Sequence, residues 1–139
     1  MRHWLIKFAP FRTCWAEIER RGKFTLRGVR SAEACKNLAA MRIGDAVLFY
    51  HSQQQRAIVG LMEVVREAYP DPTSADPRWL TCDFVPALPF SHPVPLIRIR
   101  EEPALVNLAL IRQPRLAVMP VSPSEFSCIR DLADSRPRP

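Results

Sequence analysis

The stretches GDAVLFYHS, residues Gly44–Ser52, and IVGLMEVVREAYPD, residues Ile58–Asp71, decide the fold of this chain. Within them, β-branched and aromatic residues are frequent over Ala46–Tyr50 and Ala57–Val65. Short runs of this composition are typical of β-strands. The sequence therefore predicts two consecutive strands here. Similar runs predict three further strands, at His3–Phe8, Trp79–Val85 and Leu116–Met119.

Two helices are predicted in the first half of the chain. Thr13 is a candidate N-cap for a helix over Cys14–Arg21, and Gly22 follows as a helix stop. Ser31 is the candidate N-cap of a second helix, because apolar residues then repeat at intervals of three and four positions. These residues are Ala34, Leu38 and Met41.

The second half of the chain carries two more helix signals. Leucines with helical spacing in Pro103–Leu110 predict one or two turns. The segment Ser122–Glu125 combines a capping box with proline at the first helical position. Apolar residues follow it with helical spacing, at Phe126, Ile129 and Leu132. We therefore expect a terminal helix.

The length of 139 residues is that of one domain. Most of the 14 prolines fall between Pro70 and Pro123, where they predict loops and strand ends but no linker between domains. Strands interspersed with helices predict an α+β fold, a partly closed β-barrel with peripheral helices. We expect a single domain over residues 1–133 and a disordered tail over residues 134–139.

Composition narrows the functional class. The four cysteines are scattered without metal-ligand spacing, so we expect no metal. We also expect no cofactor. Lys7 interrupts the apolar start too early for a signal peptide, and no apolar run approaches the roughly 20 residues of a membrane helix. We expect a cytoplasmic monomer with no membrane partner. A net charge of +6 and a pI of about 9.7 favour a polyanionic partner.

The two stretches quoted first closely resemble the EVE family. Three outlying segments resemble the same family in the same order, Trp4–Lys7, Gly28–Arg30 and Arg115–Ser122, so that the resemblance spans Trp4 to Ile129. It implies a PUA-like β-barrel related to the YTH and ASCH domains, whose members hold a base in a pocket and are associated with modified nucleobases. It thus implies a nucleic acid or a modified nucleotide as partner, and it does not imply catalysis.

The chain departs from the family pattern in four places around the expected pocket. Ala9 replaces the glutamate of Lys-x-Glu-Pro. Leu26 replaces the tryptophan of Trp-Asp-Gly-Val-Arg-Asn, and the closing amide of that motif is also lost. Cys35 and Lys36 replace the arginine and asparagine of Ala-Arg-Asn, and Ala117 replaces the serine of Leu-Ser-Val. These departures imply a different ligand or binding mode from that of typical members, in a roomier and more apolar pocket.

The resemblance and the residue types together give a candidate site. Its expected base-binding pocket comprises Lys7, Phe24, Leu26, Val29, Tyr50, His51, Ser52, Tyr69 and Arg115. The candidates for contact with a nucleic-acid backbone are Arg27, Arg30, Lys36 and Arg42. In an extended segment, residues two positions apart share a face. Phe24 is therefore expected beside Leu26, as a substitute for the missing tryptophan.

Each assignment has a simpler alternative. Tyr50–Ser52 can be a strand end that satisfies its own backbone, and Lys7 can be a solvated lysine on an edge strand. The arginines can form a scattered solvated surface. For the whole chain, the alternatives to a base-binding module are a small hydrolase of a modified nucleoside or base, as among ASCH proteins, and a protein-interaction domain with a decayed pocket. Ala9 in place of the family glutamate counts against the hydrolase.

Overall fold

The structure, a computed structural model, describes residues 1–9, 12–53 and 55–135. The elements in chain order are β1 (His3–Phe8), α1 (Trp15–Arg21), β2 (Phe24–Thr25), α2 (Ala32–Ala40), β3 (Ala46–His51), β4 (Ala57–Pro70), β5 (Leu80–Pro95), α3 (Leu96–Glu101), a 3₁₀ helix (Pro103–Leu105), α4 (Ala109–Arg112), β6 (Val118–Val121) and α5 (Pro123–Asp134). Of the tail predicted over residues 134–139, Asp134 is the last residue of α5, and residues 136–139 lie outside the described residues.

The six strands form one mixed sheet in the order β2-β5-β4-β3-β1-β6. Strand β1 pairs in parallel with β3, whereas every other neighbouring pair is antiparallel. A parallel pair needs a crossover connection, and the chain between β1 and β3 supplies one that contains α1 and α2. Among the described residues the edge strands β2 and β6 do not pair with each other, so the sheet remains open. The α+β prediction is confirmed.

Strands β4 and β5 extend well beyond their predicted ends. Strand β4 continues past Val65, and β5 continues past Val85. The prolines Pro86, Pro89 and Pro93 therefore lie inside a strand, which corrects the expectation that such residues mark loops and strand ends. The register between the two strands shifts at four places. Such irregularities accommodate residues that have no backbone N–H to donate.

An aromatic cluster lies on the face of the sheet covered by α1. Phe8 and Phe24 meet edge to face with ring centroids 5.1 Å apart, and Phe24 meets Phe49 in the same way at 5.4 Å. The Trp15 ring covers the backbone of Gly60 so closely that a Cβ there would lie 2.5 Å from it. This packing fixes the positions of β1 and β2, which border the candidate site.

The local helix signals are confirmed at two helices. The Ser31 hydroxyl accepts a hydrogen bond from the Ala34 N–H at 3.3 Å, as predicted for an N-cap. At α5 the Ser122 and Glu125 side chains form a reciprocal capping box. In Pro103–Leu110 the expected turns are present as the 3₁₀ helix and the start of α4, whereas α3 was not predicted.

Helix α1 begins differently from the prediction. The Thr13 hydroxyl donates to the carbonyl of Arg12 at 2.7 Å, and Cys14 occupies the N-cap position without a side-chain cap. The backbone N–H of Trp15 instead donates to Nε2 of His51 on β3, at 3.1 Å. The helix is therefore capped by tertiary structure. Its C-terminal end is as predicted, because Gly22 adopts a φ of +74° and donates its N–H to the Ile18 carbonyl.

Candidate functional site

Two adjacent cavities lie where the end of β1 meets the segment between β2 and α2. The first, here called the loop cavity, has a volume of about 210 Å³. Its lining comprises Lys7, Phe8, Arg12, Leu26, Arg27, Gly28, Val29, Arg30, Ser31, Arg115 and Ala117. The second, here called the flanking cavity, has a volume of about 220 Å³. Its lining comprises Phe8, Arg12, Thr13, Arg21, Lys23, Phe24, Thr25 and Arg27. The two cavities share Phe8, Arg12 and Arg27.

The loop cavity brings together several of the residues predicted from the sequence. Leu26 and Val29 are buried and contribute an apolar wall, and Arg115 is exposed. Arg27 and Arg30, predicted to contact a nucleic-acid backbone, line the same cavity and are also exposed. With Lys7, these residues combine an apolar wall and exposed cations around one cavity.

Lys7 connects β1 to the segment that carries Arg115. Its Nζ donates a hydrogen bond to the carbonyl of Pro114 at 2.5 Å, and its backbone N–H donates to the carbonyl of Ala117 at 2.9 Å. Burial lowers the pKa of the Lys7 ammonium from its usual value. A lysine ammonium has three N–H donors, so two remain after the bond to Pro114.

A buried carboxylate fixes the loop of residues 26–31. The side chain of Asp71 is fully buried and accepts hydrogen bonds from the Gly28 N–H at 2.9 Å and from Arg30 at 3.1 Å. It also accepts from the N–H and the hydroxyl of Thr73, at 2.8 and 2.7 Å. Burial alone would raise the pKa of this carboxyl, but the hydrogen bonds from Gly28, Thr73 and Arg30 outweigh burial and hold the pKa well below its ordinary value. Asp71 therefore remains ionised and fixes the loop to the end of β4.

The boundary between the two cavities is an arginine stacked on a phenylalanine. The Arg12 guanidinium carbon lies 4.4 Å from the centroid of the Phe8 ring, and Nη2 lies 3.4 Å from the Arg27 carbonyl, to which it donates. Gly28 faces the same guanidinium with a φ of +88°, a conformation that L residues rarely adopt. This arrangement presents a flat cationic group at the position where the cavities meet.

Phe24 lines the flanking cavity, whereas Leu26 lines the loop cavity. The expectation that they share one wall depended on an extended segment through both residues. Strand β2 ends at Thr25, so the alternation of a strand does not continue to Leu26. Phe24 is therefore placed against Phe8 and does not occupy the position expected for a stacking ring beside Leu26.

Tyr50, His51 and Ser52 line neither cavity. Burial raises the pKa of the Tyr50 phenol, with Arg56 and Arg100 acting in the opposite direction. Because His51 Nε2 accepts from Trp15, the ring proton is on Nδ1, which lies 2.6 Å from Oε1 of Gln55. The Ser52 backbone N–H donates to Phe8 at 3.0 Å. Of the three side chains, only the His51 ring has both of its polar atoms paired within the described part of the chain.

Tyr69, Lys36 and Arg42 also lie outside the lining of both cavities. The Tyr69 hydroxyl donates to Asp83 at 2.5 Å, and the Arg66 guanidinium carbon lies 3.6 Å from the centroid of the Tyr69 ring. Arg42 donates to two carbonyls at the C-terminal end of α2, each at 3.0 Å. Lys36 is exposed on α2. The predicted group of four cations is thus divided, with Arg27 and Arg30 on the loop cavity.

Sequence reasoning missed Phe8 and Arg12 as parts of this site, and it did not predict that Asp71 is a buried carboxylate that fixes the loop. Arg12 belongs to a connection without periodicity, so no local signal indicated its position over Phe8. Asp71 belongs to a stretch that resembles the EVE family, where Tyr69–Asp71 indicates a turn. The available signal for the buried carboxylate was an acidic residue in the turn that follows the predicted strand over Ala57–Val65.

A family model covers nearly the whole chain, including both cavities. The model of the EVE domain matches residues 2–132. The chain belongs to the EVE domain family. The matched region of this EVE domain includes the loop of residues 26–31, Asp71 and Arg115.

Curated relatives of this EVE domain are longer proteins. Thymocyte nuclear protein 1 of Mus musculus is 32% identical over 133 residues, an alignment that covers 79% of this chain and 59% of the mouse protein. The chain therefore spans less than two thirds of the length of this relative.

Solved structures share the fold. A crystal structure of a protein from Agrobacterium tumefaciens has a TM-score of 0.93 and 32% identity, and the alignment covers 96% of this EVE domain and 93% of that chain. The human THYN1 protein in complex with 5-methylcytosine containing DNA has a TM-score of 0.88 and 26% identity, with 99% and 100% coverage.

A more distant structure confirms the predicted class of fold. The ASCH protein of Zymomonas mobilis has a TM-score of 0.62 at 11% identity over 94% of this EVE domain and 95% of that chain, which shows a shared fold alone.

Two further observations concern the described residues as a set. No helix within residues 1–9, 12–53 and 55–135 is long and apolar enough to cross a membrane. In the same part of the chain, no group of three or more His, Cys, Asp and Glu residues is arranged to hold a metal ion.

Proposed function

We propose that this EVE domain binds one base of a nucleic acid, a modified base, in the loop cavity, and does so without catalysis. The observation that carries the proposal is the convergence of an apolar wall, hydrogen-bond donors and exposed cations on a single small cavity. The human THYN1 protein, a structural relative, has been crystallised with 5-methylcytosine containing DNA. That ligand combines the two features that the cavity suits, a modified base and a polyanionic backbone.

The loop cavity has the size and chemistry for a base. Its volume of about 210 Å³ is below the roughly 300–1,000 Å³ of typical cavities for drug-sized ligands, so a small planar group is the better match. Of the aliphatic residues Leu26 and Val29 in the lining, Val29 is 6% exposed and can contact a methyl group on a base, whereas Leu26 is 1% exposed and is part of the core. The Lys7 ammonium can donate to a base carbonyl, and the Arg12 guanidinium can stack on a base, as it does on Phe8.

Cations around the loop cavity suit the backbone that carries the base. Arg27, Arg30 and Arg115 are exposed and line the cavity. Arginine side chains hydrogen-bond readily to phosphate oxygens. The net charge of +6 adds a long-range attraction for the polyanion. This arrangement favours a base within a nucleic acid as the ligand.

The state of Asp71 supports binding and not catalysis. A general acid or base must exchange a proton with the substrate. The Asp71 carboxylate accepts four hydrogen bonds from the protein and its side chain is fully buried. Ala9 stands where the family pattern has a glutamate. The hydrolase alternative therefore has less support than a binding module.

A substitution that fills the loop cavity with a larger side chain tests the proposal. Ala117→Phe places a ring in the cavity lining, and Ala104→Phe makes the same change at an exposed position of the 3₁₀ helix. Affinities are measured by fluorescence anisotropy for DNA oligonucleotides with one 5-methylcytosine or one cytosine. We expect Ala117→Phe to weaken binding of the methylated oligonucleotide about tenfold or more, a loss of at least about 1.4 kcal/mol, and Ala104→Phe to leave it unchanged.

Two results would contradict the proposal. Equal affinities of both variants and the parent protein would show that the base does not enter the loop cavity. Equal affinities of the parent protein for methylated and unmethylated oligonucleotides would show that the cavity does not select the modification. Thermal unfolding of each variant confirms that the protein is folded.

A further inference from the structure

The flanking cavity concentrates positive charge beside the loop cavity. Its lining includes four cations, all of them exposed: Arg12, Arg21, Lys23 and Arg27. Arg21 is paired with Glu17 at 2.7 Å. None of the salt bridges found within the described ranges involves the other three cations. Their charges are therefore available to an anion from outside the protein.

The two cavities share part of their lining, so a base in one and its phosphate in the other would be neighbours. Arg12 and Arg27 line both cavities, and the Arg12 guanidinium stacks on the Phe8 ring between them. A guanidinium can present its flat face to a base while its N–H groups at the edge donate to phosphate oxygens. Phe24 and Phe8, which meet edge to face, add apolar side chains to the lining of the flanking cavity. A charge interaction beside apolar groups is stronger than one in bulk water.

We infer that the flanking cavity binds the backbone phosphate next to the base held in the loop cavity. This inference rests on the proposed function and specifies its ligand, which becomes a polynucleotide and not a free nucleoside. Lys23 and Arg27 supply the charge, and Arg12 connects the phosphate position to the base position. Lys36 and Arg42, on or beside α2, line neither cavity and are not part of this phosphate site.

The test compares Lys23→Gln with Lys36→Gln. Each variant replaces one exposed lysine by the same neutral side chain, and only Lys23 lines the flanking cavity. The probes are a short single-stranded DNA with one 5-methylcytosine, measured by anisotropy over a series of salt concentrations, and free 5-methyldeoxycytidine, measured by calorimetry. Loss of one phosphate contact removes about 0.7 from the slope of log affinity against log salt, which is about fivefold in affinity near 0.1 M salt.

We expect Lys23→Gln to weaken oligonucleotide binding about fivefold near 0.1 M salt and to reduce the salt slope by about 0.7, with nucleoside affinity unchanged. Lys36→Gln should match the parent protein in all three measurements. The inference would be overturned if the two substitutions had equal effects. It would also be overturned if Lys23→Gln lost as much affinity for the nucleoside as for the oligonucleotide.

Ala117→Phe separates failure of the inference from failure of the proposed function. If Ala117→Phe abolishes binding of both ligands while Lys23→Gln changes nothing, the base assignment stands and the phosphate site is refuted. If Ala117→Phe changes neither affinity, the base is not in the loop cavity, and both the proposed function and the inference are refuted.

Discussion

Substitution of Asp71 by asparagine should release the loop that walls the loop cavity. The carboxylate accepts from Gly28, Thr73 and Arg30, and its side chain is fully buried. Hydrogen bonds to charged groups contribute about 1.5–3 kcal/mol each, but four bonds to one carboxylate are not additive. Asparagine retains one acceptor oxygen and presents an amide to the remaining donors. We therefore expect a loss of about 2–3 kcal/mol in the free energy of unfolding at neutral pH.

The same substitution should change the dependence of stability on acid. Because the pKa of Asp71 is depressed in the folded protein, ionised Asp71 stabilises the fold fully above the unfolded pKa of about 3.9. This stabilisation is lost as the pH falls from that value towards the lower folded-state pKa. The asparagine variant has no such group, so its unfolding free energy should fall less steeply than that of the parent protein below about pH 4.

Urea unfolding at several pH values measures both effects, and hydrogen exchange of the Gly28 amide reports the loop directly. Asp76→Asn is the matched control, because Asp76 follows in the same connection but is only half-buried, and it pairs with the exposed Arg78. We expect that control to retain the stability and the Gly28 protection of the parent protein. If Asp71→Asn has the same unfolding free energy and Gly28 protection as Asp76→Asn, the loop does not depend on the buried carboxylate.

Two further substitutions test packing, and one assay of the parent protein tests its chemistry. Gly60→Ala should destabilise the protein by about 1–3 kcal/mol in urea unfolding, because its Cβ would lie 2.5 Å from the Trp15 ring, and an unchanged midpoint would contradict that contact. His51→Ala should cost about 1–3 kcal/mol by the same assay, because the buried Trp15 N–H loses its acceptor, and full stability would show that the cap is dispensable. The protein should leave acetylated and alkylated nucleosides unchanged in chromatographic assays, because Ala9 replaces the family glutamate, whereas turnover abolished by Lys7→Ala would establish a hydrolase.

Local features of the sequence predicted the elements whose signals are contained in a few neighbouring residues. Strand β1 has its predicted bounds, and Ser31 and Ser122 cap their helices as expected. Gly22 ends α1 with a left-handed backbone conformation. Each of these features depends on hydrogen bonds or dihedral preferences within one turn or one strand, so the nearby sequence is sufficient.

Long-range pairing decided the features that the sequence left open or placed differently. The length of β5 depends on the partner strand β4, which supplies hydrogen bonds to a segment whose prolines indicate loops when read alone. His51 caps α1 because β3 brings it beside Trp15, a residue 36 positions away in the chain. Neither the pairing of β4 with β5 nor the hydrogen bond between Trp15 and His51 can be predicted from local propensity or hydrophobic spacing.

The candidate site shows the same division. The resemblance to the EVE family indicated Lys7, Leu26, Val29 and Arg115, and the structure places all four on the loop cavity. Two placements are seen only in the tertiary structure. Arg12 lies over the Phe8 ring, and Phe24 and Leu26 line different cavities. The sequence determines which side chains are present and which short segments become strands or helices. The packing of distant segments determines which of those side chains share a cavity, because a cavity wall is formed by residues that are close in space and remote in the chain.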